Sequence, residues 1–294
     1  TQRTLLQLDI ETLEYIPTLL KELPSSSEDN KTFYFELKEN IKWDDGSTLT
    51  AKDVVFSTKI MLCHLTNNAQ IRPVYSSVIK SVDLDPDNPF KFSMTAQDIK
   101  WTAKSIMGGI YIQQKNHWDP QGIFDNITFD QILNKSFEET QQIANWFNNF
   151  NDAKNGFEVK NLKGLGPYEV SEWETEQYIT LTKKKDWWGS NEKSIYNNSF
   201  PEKIIYRVIK ESASAYLALK KQDLDVTTNL GTLDLMKLQE RDYFNKNYDS
   251  DFKDRYGISY IGLNMKPDGT NHKPFFVDKK VRRAIAHLIP VNEI

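Results

Sequence analysis

Stretches in which apolar and polar residues alternate occur between stretches with the spacing of an amphipathic helix. Alternation and aromatic or β-branched content predict strands at 32–37, 90–94, 178–182, 203–209 and 260–264, with a short one at Asp225-Val226. Helical spacing predicts helices after Thr50 and at 143–150, 212–221 and 279–289. Strands that alternate with helices are typical of α/β layers rather than of a β-sandwich or a helical bundle.

Polar residues at the ends of these segments predict where elements begin and turn. Thr50 is expected to cap a helix, with Asp53 bonding back to the cap, and Ser212 to cap another. Asp44-Asp45-Gly46 predicts a tight turn in which Gly46 takes a positive φ. Asp278 is expected to cap the 279–289 helix and to offer a charge partner to the arginines that follow it.

The composition is that of an ordinary soluble globular protein, and it narrows the classes of partner. Hydrophobic residues make up 39% of the 294 positions, charged residues 27% and aromatic residues 12%. Aromatic side chains serve equally in cores and in the walls of binding clefts. The net charge is −4, and the lysines and arginines are spread along the chain. This distribution argues against nucleic acid as a partner.

Cysteine usage and hydropathy give weak information about location. Cys63 is the only cysteine, so an intrachain disulfide is impossible, and its apolar surroundings predict a buried, inert thiol. A single cysteine is typical of proteins of the cytoplasm or of a bacterial periplasm. No apolar run approaches the ~20 residues that span a bilayer. No signal peptide opens the chain, but the first residue is Thr1 rather than an initiator methionine, so that absence carries little weight.

Catalytic and metal-binding patterns are weak. The histidines lack the spacing of a zinc site: His64, His117, His272 and His287. The run 83–87 opens like a calcium loop, but Asn88 and Met94 stand where that loop has glycine and glutamate. The serines show no nucleophile elbow, and Gly164-x-Gly166 lacks the third glycine of a dinucleotide site. We therefore expect neither an enzyme nor a resident cofactor.

Four longer segments carry family information. The first is 33–46, an aromatic-rich strand followed by Trp43-Asp44-Asp45-Gly46, and then 49–57, which contains Thr50-Ala51-Lys52-Asp53-Val54. The second is Gly164-Leu165-Gly166-Pro167-Tyr168, with Trp173 and then Lys185-Asp186-Trp187-Trp188-Gly189. The third is 203–226, which ends in Gln222-Asp223-Leu224-Asp225-Val226. The fourth is Leu263-Asn264 with 274–285, followed by Val291-Asn292-Glu293-Ile294.

In this order the segments resemble the family 5 extracellular solute-binding proteins, which serve peptide, dipeptide and nickel ABC importers. The second segment departs from the family pattern, because Leu165 replaces the usual threonine and Asp186-Trp187 replaces Pro-x-Tyr. Most of the matching residues are turn, cap or core residues. Tyr168 and Trp173, for example, are expected to fill the core rather than to touch a ligand.

The resemblance implies an α/β fold of the type II periplasmic-binding-protein class, with ligand enclosed between two lobes. By analogy, residues 1–31 form an N-terminal segment and 32–160 the small α/β domain of the first lobe. Residues 161–262 then form the sheet domain nearer the hinge, and 263–294 begin a second lobe that is largely missing. On this interpretation the chain is truncated.

The resemblance also suggests where a ligand binds. Tyr75, in Arg72-Pro73-Val74-Tyr75-Ser76, lies where relatives have a tyrosine that faces the cleft. Gly109 and Tyr111 follow at the return from the small domain, where glycine allows the backbone to approach a ligand. Trp101 is a weaker candidate. For each of these residues, ordinary packing in the core or on the surface is the alternative.

The implied function is capture of a peptide-like solute for an ABC importer permease, without catalysis, by a monomer. The protein would be periplasmic or anchored at the outer face, for example as a lipoprotein. A nickel chelate, heme or an oligosaccharide are alternative ligands. Two other classes stay open: a sensory or regulatory protein that uses this module, which an upstream helix-turn-helix or membrane segment would indicate, and a hydrolase of the same ligands, which would not release them intact.

Overall fold

A computed structural model describes residues 2–192, 195–228, 230–252, 260–267 and 273–290. The chain forms two compact units, Thr1–Lys210 and Glu211–Ile294. The finer division at residues 31, 160 and 262 stays a prediction.

The first unit contains the strands and most of the helices. Its strands are β1 (Leu6–Leu8), β2 (Tyr15–Pro17), β3 (Ser25–Ser26), β4 (Thr32–Glu36), β5 (Ile79–Leu84), β6 (Lys91–Ala96), β7 (Tyr168–Glu174), β8 (Tyr178–Lys183) and β9 (Lys203–Arg207). Its helices are α1 (Ala51–Leu62), α2 (Arg72–Ser76), α3 (Ala103–Gly108), α4 (Lys115–Trp118), α5 (Phe129–Asn134), α6 (Gln141–Phe150) and α7 (Ala153–Phe157). Short 3-10 turns occur at Val159–Asn161 and Ile195–Asn197.

A four-stranded antiparallel sheet in the order β3-β4-β6-β5 carries the core of this unit. Phe35 lies opposite Phe92 in the register of β4 and β6, and their rings stack with centroids 5.0 Å apart. Both side chains are buried, whereas Tyr34 between the buried positions of β4 is exposed. The alternation that predicted these strands therefore separates a core face from a solvent face.

Helix α1 begins as its sequence predicted. The carboxylate of Asp53 accepts the backbone N–H of Thr50 at 2.9 Å, which is the returning half of a capping box. The other carboxylate oxygen accepts the N–H of Lys115 at 2.9 Å, so the cap also fixes the start of α4. Burial nevertheless raises the pKa of Asp53 above its usual value, because desolvation outweighs these hydrogen bonds.

A three-stranded antiparallel sheet has the order β7-β8-β9. The Tyr168 side chain is buried and its hydroxyl donates to the carbonyl of Pro201 at 2.7 Å. Trp173 is half-buried and its ring packs 4.9 Å from that of Phe157. Both residues contribute to packing, as the sequence predicted.

The second unit is built from helices around a small core. They are α8 (Ser212–Lys220), α9 (Thr232–Gln239), α10 (Asp242–Asn247) and α11 (Lys279–His287), with a 3-10 turn at Phe275–Val277. Leu219, Leu238 and Phe244 form the buried cluster. The predicted helix at 279–289 is confirmed, and the Asp278 side chain caps it by accepting the N–H of Lys280 at 2.8 Å.

Three predictions for this unit are wrong. Ser212 is the first helical residue rather than the cap, because its hydroxyl bonds to the Asp234 carboxylate at 3.3 Å instead of to the helix backbone. Asp225-Val226 and 260–264 are not strands. Val226 and Tyr260 are 83% and 86% exposed, so neither segment has the covering layer that turns β propensity into a strand.

The expected partner of the arginines in α11 is also wrong. The Arg282 guanidinium donates to the carbonyl oxygens of Phe276 at 2.6 Å and Val277 at 2.9 Å, not to Asp278. Asp278 is already occupied as the helix cap. Arg282 therefore ties α11 to the turn before it. His272 and the motif residues 291–294 lie outside the described residues.

Candidate functional site

Helix α2 holds Tyr75 against the end of α3. The Tyr75 side chain is half-buried, and its hydroxyl donates a long hydrogen bond of 3.4 Å to the carbonyl oxygen of Gly109. Gly109 directly follows α3 and caps its C-terminus. Two of the residues predicted from the sequence are thus in contact.

Tyr111 lies near enough to Tyr75 to act on its hydroxyl electrostatically. It forms an isolated antiparallel bridge with Thr4, which joins the return from α3 to the start of the chain. Its side chain is 52% exposed and therefore accessible to a ligand. Tyr75, Gly109 and Tyr111 form one surface, referred to below as the tyrosine surface.

A close approach of α3 to β1 sets the position of this surface. A Cβ on Gly108 would lie 2.8 Å from the Leu6 Cβ and 2.5 Å from its Cδ1, so only glycine fits there. The contact was missed in the sequence, where the adjacent glycines 108 and 109 were its only signal. The missing side chain at Gly108 therefore serves the packing of α3 against β1 rather than the approach of a ligand.

Exposed apolar side chains also occur on and near α2. Ile71 and Val74, one helical turn apart beside Tyr75, are each 50% exposed. Trp101 is 94% exposed and follows Lys100, whose ammonium group donates to the carbonyl of Ser77 at 2.6 Å just after α2. Trp101 is thus on the segment tied to α2, but its ring projects into solvent.

The tyrosine surface is uncharged. Burial, reinforced by Tyr111, raises the pKa of Tyr75, so its phenol stays neutral at physiological pH. The nearby guanidinium of Arg72 is used within its own loop, where it donates to Thr66 and Asn68. The surface therefore offers aromatic area with one hydroxyl and one carbonyl. This suits an apolar side chain and an adjoining amide better than a strongly charged group.

The residues of the family-like motifs bond to one another rather than line the tyrosine surface. Asp44 forms an ion pair with Lys184, and it also accepts the N–H of Gly164 at 3.3 Å. Lys184 donates to the Gly164 carbonyl at 2.7 Å. The indole N–H groups of Trp187 and Trp188 both donate to the carbonyl of Leu165 at 2.9 Å. The first and second motifs are thus bonded to one another.

The acidic run 83–87 forms turn contacts. The Asp85 carboxylate accepts the N–H groups of Asp87 and Asn88, each at 2.9 Å, and Asp83 bonds to Ser81. In the described ranges no cluster of three or more His, Cys, Asp or Glu side chains is arranged to hold a metal ion. Nor does any helix of the described residues combine the length and apolar character needed to cross a bilayer.

Comparison with known proteins identifies relatives of this chain. Dipeptide-binding protein DppE from Bacillus subtilis is 22% identical over 92% of the chain and 43% of its own length. The chain spans less than half of the length of the curated relatives it matches.

Solved structures share the fold. DppA from Helicobacter pylori in complex with the peptide STSA gives a TM-score of 0.60 at 19% identity, covering 82% of this chain and 43% of that one. NikZ from Campylobacter jejuni in complex with Ni(L-His) gives 0.53 at 20% identity, covering 76% and 36%. These likenesses confirm the predicted α/β fold of the type II periplasmic-binding-protein class.

The family model described as "Bacterial extracellular solute-binding proteins, family 5 Middle" matches residues 14–294. The match includes all four motif segments, and the resemblance seen in the sequence is thereby confirmed. The chain belongs to the bacterial extracellular solute-binding proteins of family 5.

Proposed function

We propose that this chain belongs to the substrate-binding component of a bacterial ABC importer and forms one wall of a cleft that captures a peptide-like solute. The tyrosine surface is the observation that carries the proposal. Its exposed Tyr111 supplies an aromatic wall, and the Tyr75 hydroxyl with the Gly109 carbonyl supplies polar groups at the centre. A bound peptide requires apolar contact for its side chains and hydrogen-bonding groups for its amides.

The mechanism is closure of two lobes around the solute. A ligand that contacts both lobes only in the closed state favours that state by its differential affinity. The tyrosine surface contributes contacts from the first lobe, and no covalent bond is made or broken. Recovery of the bound peptide intact after incubation, by mass spectrometry, tests the absence of hydrolysis; a cleaved peptide would contradict it.

The protein works as a monomer with an importer permease, in the periplasm or attached by lipid to the outer face. Its proposed organisation is an N-terminal segment at 1–31, a small domain at 32–160, a hinge-proximal sheet domain at 161–262, and the start of the second lobe at 263–294. Trp101 is the least supported ligand contact, because its 94% exposed ring has no described neighbour on the tyrosine surface.

The ligand class is tested by thermal denaturation of the gene-encoded protein, that is, the full-length product of the gene. Its melting temperature is measured in the presence of each member of a library of short peptides. A ligand that binds only the folded state adds about 2.7 kcal/mol at a hundredfold excess over its Kd. We expect a subset of peptides to raise the melting temperature. Flat curves with every peptide, combined with a shift from a nickel chelate, heme or an oligosaccharide, would refute the peptide assignment.

A further inference from the structure

A small apolar cavity lies beside α1, apart from the tyrosine surface. It has a volume of about 170 Å³. Its walls are Val55 and Phe56 of α1, Leu84 at the end of β5, and Phe124. Lys52, Lys59, Lys115 and Asp125 provide its polar atoms. An apolar body with a charged end would match this lining.

The cavity adjoins a larger groove between α1, β5 and α5. The groove has a volume of about 690 Å³ and shares Val55, Lys59, Leu84 and Asp125 with the cavity. Ligand sites in proteins typically occupy about 300–1,000 Å³. Strand β5 is an edge of its sheet, so the groove reaches solvent along that edge. A small molecule therefore has both space and a path of entry.

Lys59 is the unusual group in this lining. Its side chain belongs to the core, with only 6% of the residue exposed, yet it lines both the cavity and the groove. Its ammonium donates to the carbonyl oxygens of Phe124 at 2.7 Å and Asp125 at 3.4 Å. The ammonium also lies 5.8 Å from the centroid of the Phe129 ring. An ammonium group has three N–H donors, and the described contacts give it two oxygen acceptors, so a carboxylate oxygen could accept the third.

The acids near Lys59 and along the groove bond to other groups. Asp83 accepts a hydrogen bond from Ser81, and Asp130 accepts one from Asn134. Asp125 pairs with Lys115 at 3.1 Å, and the Asp119 carboxylate accepts the N–H groups of Ile123 at 2.7 Å and Phe124 at 3.1 Å. Both acids act on Lys59 only through space, and burial lowers the pKa of Lys59 despite them. Among the described ion pairs none includes Lys59. A buried cation without a bonded carboxylate favours an incoming anion.

We propose that the cavity and groove beside α1 bind a small monocarboxylate with an apolar body, whose carboxylate accepts a hydrogen bond from Lys59. The apolar body packs against Val55, Phe56 and Phe124. The site shares no lining residue with the tyrosine surface and does not depend on the transport role.

Two sources supply this chemistry: a free short-chain carboxylic acid, and the C-terminal end of a peptide. The test therefore uses hexanoate and N-acetyl-leucine as separate probes. Hexanol and hexylamine are the matched probes that keep the apolar chain and replace the anion with a neutral or a cationic group. Whichever acid binds more tightly identifies the source, and either result supports the site.

Amide NMR of the 294-residue chain measures binding directly. We expect hexanoate to shift the amide signals of residues 122–129 and of α1, with an affinity at least about tenfold higher than that of hexanol. Hexylamine should bind most weakly. If both acids leave these signals unmoved, or if hexanol binds as tightly as hexanoate, the proposal is wrong.

Two variants then identify the group responsible. Lys59→Met keeps an unbranched side chain one atom shorter, removes the charge, and should weaken hexanoate binding at least about tenfold. Lys80→Met removes an exposed lysine at the rim of the same groove and should change the affinity less than about threefold. Equal effects of the two substitutions would show that net charge, not Lys59, attracts the acid.

A third variant tests the site in case Lys59→Met misfolds. If Lys59→Met does not fold, Val55→Phe fills the space that cavity and groove share while leaving the ammonium in place. It should abolish the hexanoate shifts without removing the native amide pattern of the sheet. Unchanged hexanoate binding in a folded Val55→Phe protein would overturn the proposal.

Discussion

The ion pair between Asp44 and Lys184 joins the first and second family motifs, and its removal should destabilise the first unit. The two side chains are only 15% and 13% exposed, respectively. Asp44→Asn leaves the Lys184 ammonium shielded from water, with its hydrogen bond to the Gly164 carbonyl in place but without the carboxylate. The change keeps the size of the side chain, so its effect reports charge and hydrogen bonding.

The burial of the pair sets the expected magnitude. Breaking a fully buried ion pair costs about 3–5 kcal/mol, whereas an exposed pair contributes about 0–1 kcal/mol. These side chains are shielded at the surface rather than in the deep core, so we expect Asp44→Asn to cost about 2–3 kcal/mol. The amide oxygen of the introduced asparagine would still accept the Gly164 N–H, which limits the loss.

Urea denaturation followed by tryptophan fluorescence measures this cost in one unit only, because every tryptophan lies within Thr1–Lys210. They are Trp43, Trp101, Trp118, Trp146, Trp173, Trp187 and Trp188. A double-mutant cycle of Asp44→Asn with Lys184→Met isolates the coupling between the two charges. We expect a coupling free energy of at least about 1 kcal/mol.

A neighbouring pair provides the matched control. Lys183, the adjacent residue, pairs with Glu202 at 3.5 Å, but the Glu202 side chain is 87% exposed. The corresponding cycle should give a coupling below about 0.5 kcal/mol. If the Asp44–Lys184 cycle gave an equally small value, the assignment of these motif residues to fold stability would be refuted.

Three further predictions concern other buried groups. Gly108→Ala should lower the unfolding free energy by about 1–3 kcal/mol in urea titrations, because its methyl group would overlap Leu6; an unchanged value would contradict the close packing. Cys63, which is fully buried and whose pKa is raised by burial, should react with a thiol reagent slowly in the native protein and rapidly in urea; fast native labelling would show that it is accessible. The unfolding free energy of the natural protein, compared with that of Asp53→Asn, should increase as pH falls through the raised pKa of folded Asp53. The reason is that the carboxyl of Asp53 binds its proton more tightly in the folded state than in the unfolded state. A difference in unfolding free energy that shrinks on acidification would contradict the raised pKa.

Local sequence patterns predicted a helix or strand correctly where nearby residues determine its ends and its buried face. Thr50 and Asp53 predicted the start of α1, and alternation predicted β4 and β6. The segments at Asp225-Val226 and 260–264 were mispredicted because strand formation depends on pairing and cover from residues distant in sequence. The β propensity of a segment alone supplies neither the pairing partner nor the covering layer.

The candidate site was predicted only in part, for the same reason. The resemblance to the family pointed to Tyr75, Gly109 and Tyr111, and the structure brings these together. The bridge from Thr4 to Tyr111 joins residues far apart in the sequence and has no local signature. Lys59 follows Ser57 and Thr58 in a helix where a charged residue usually indicates a solvent-facing position, and only the folded chain shows it buried.

The most direct test of the central claim, that the tyrosine surface faces the bound solute, is a calorimetric Kd for the peptide that gives the largest thermal shift. Tyr111→Ala in the gene-encoded protein should weaken binding about tenfold or more, because it removes an aromatic wall. Tyr206→Ala, which removes a 59% exposed tyrosine from β9, should leave the Kd within about threefold of the natural protein. Equal Kd values for the natural protein and Tyr111→Ala would contradict the claim.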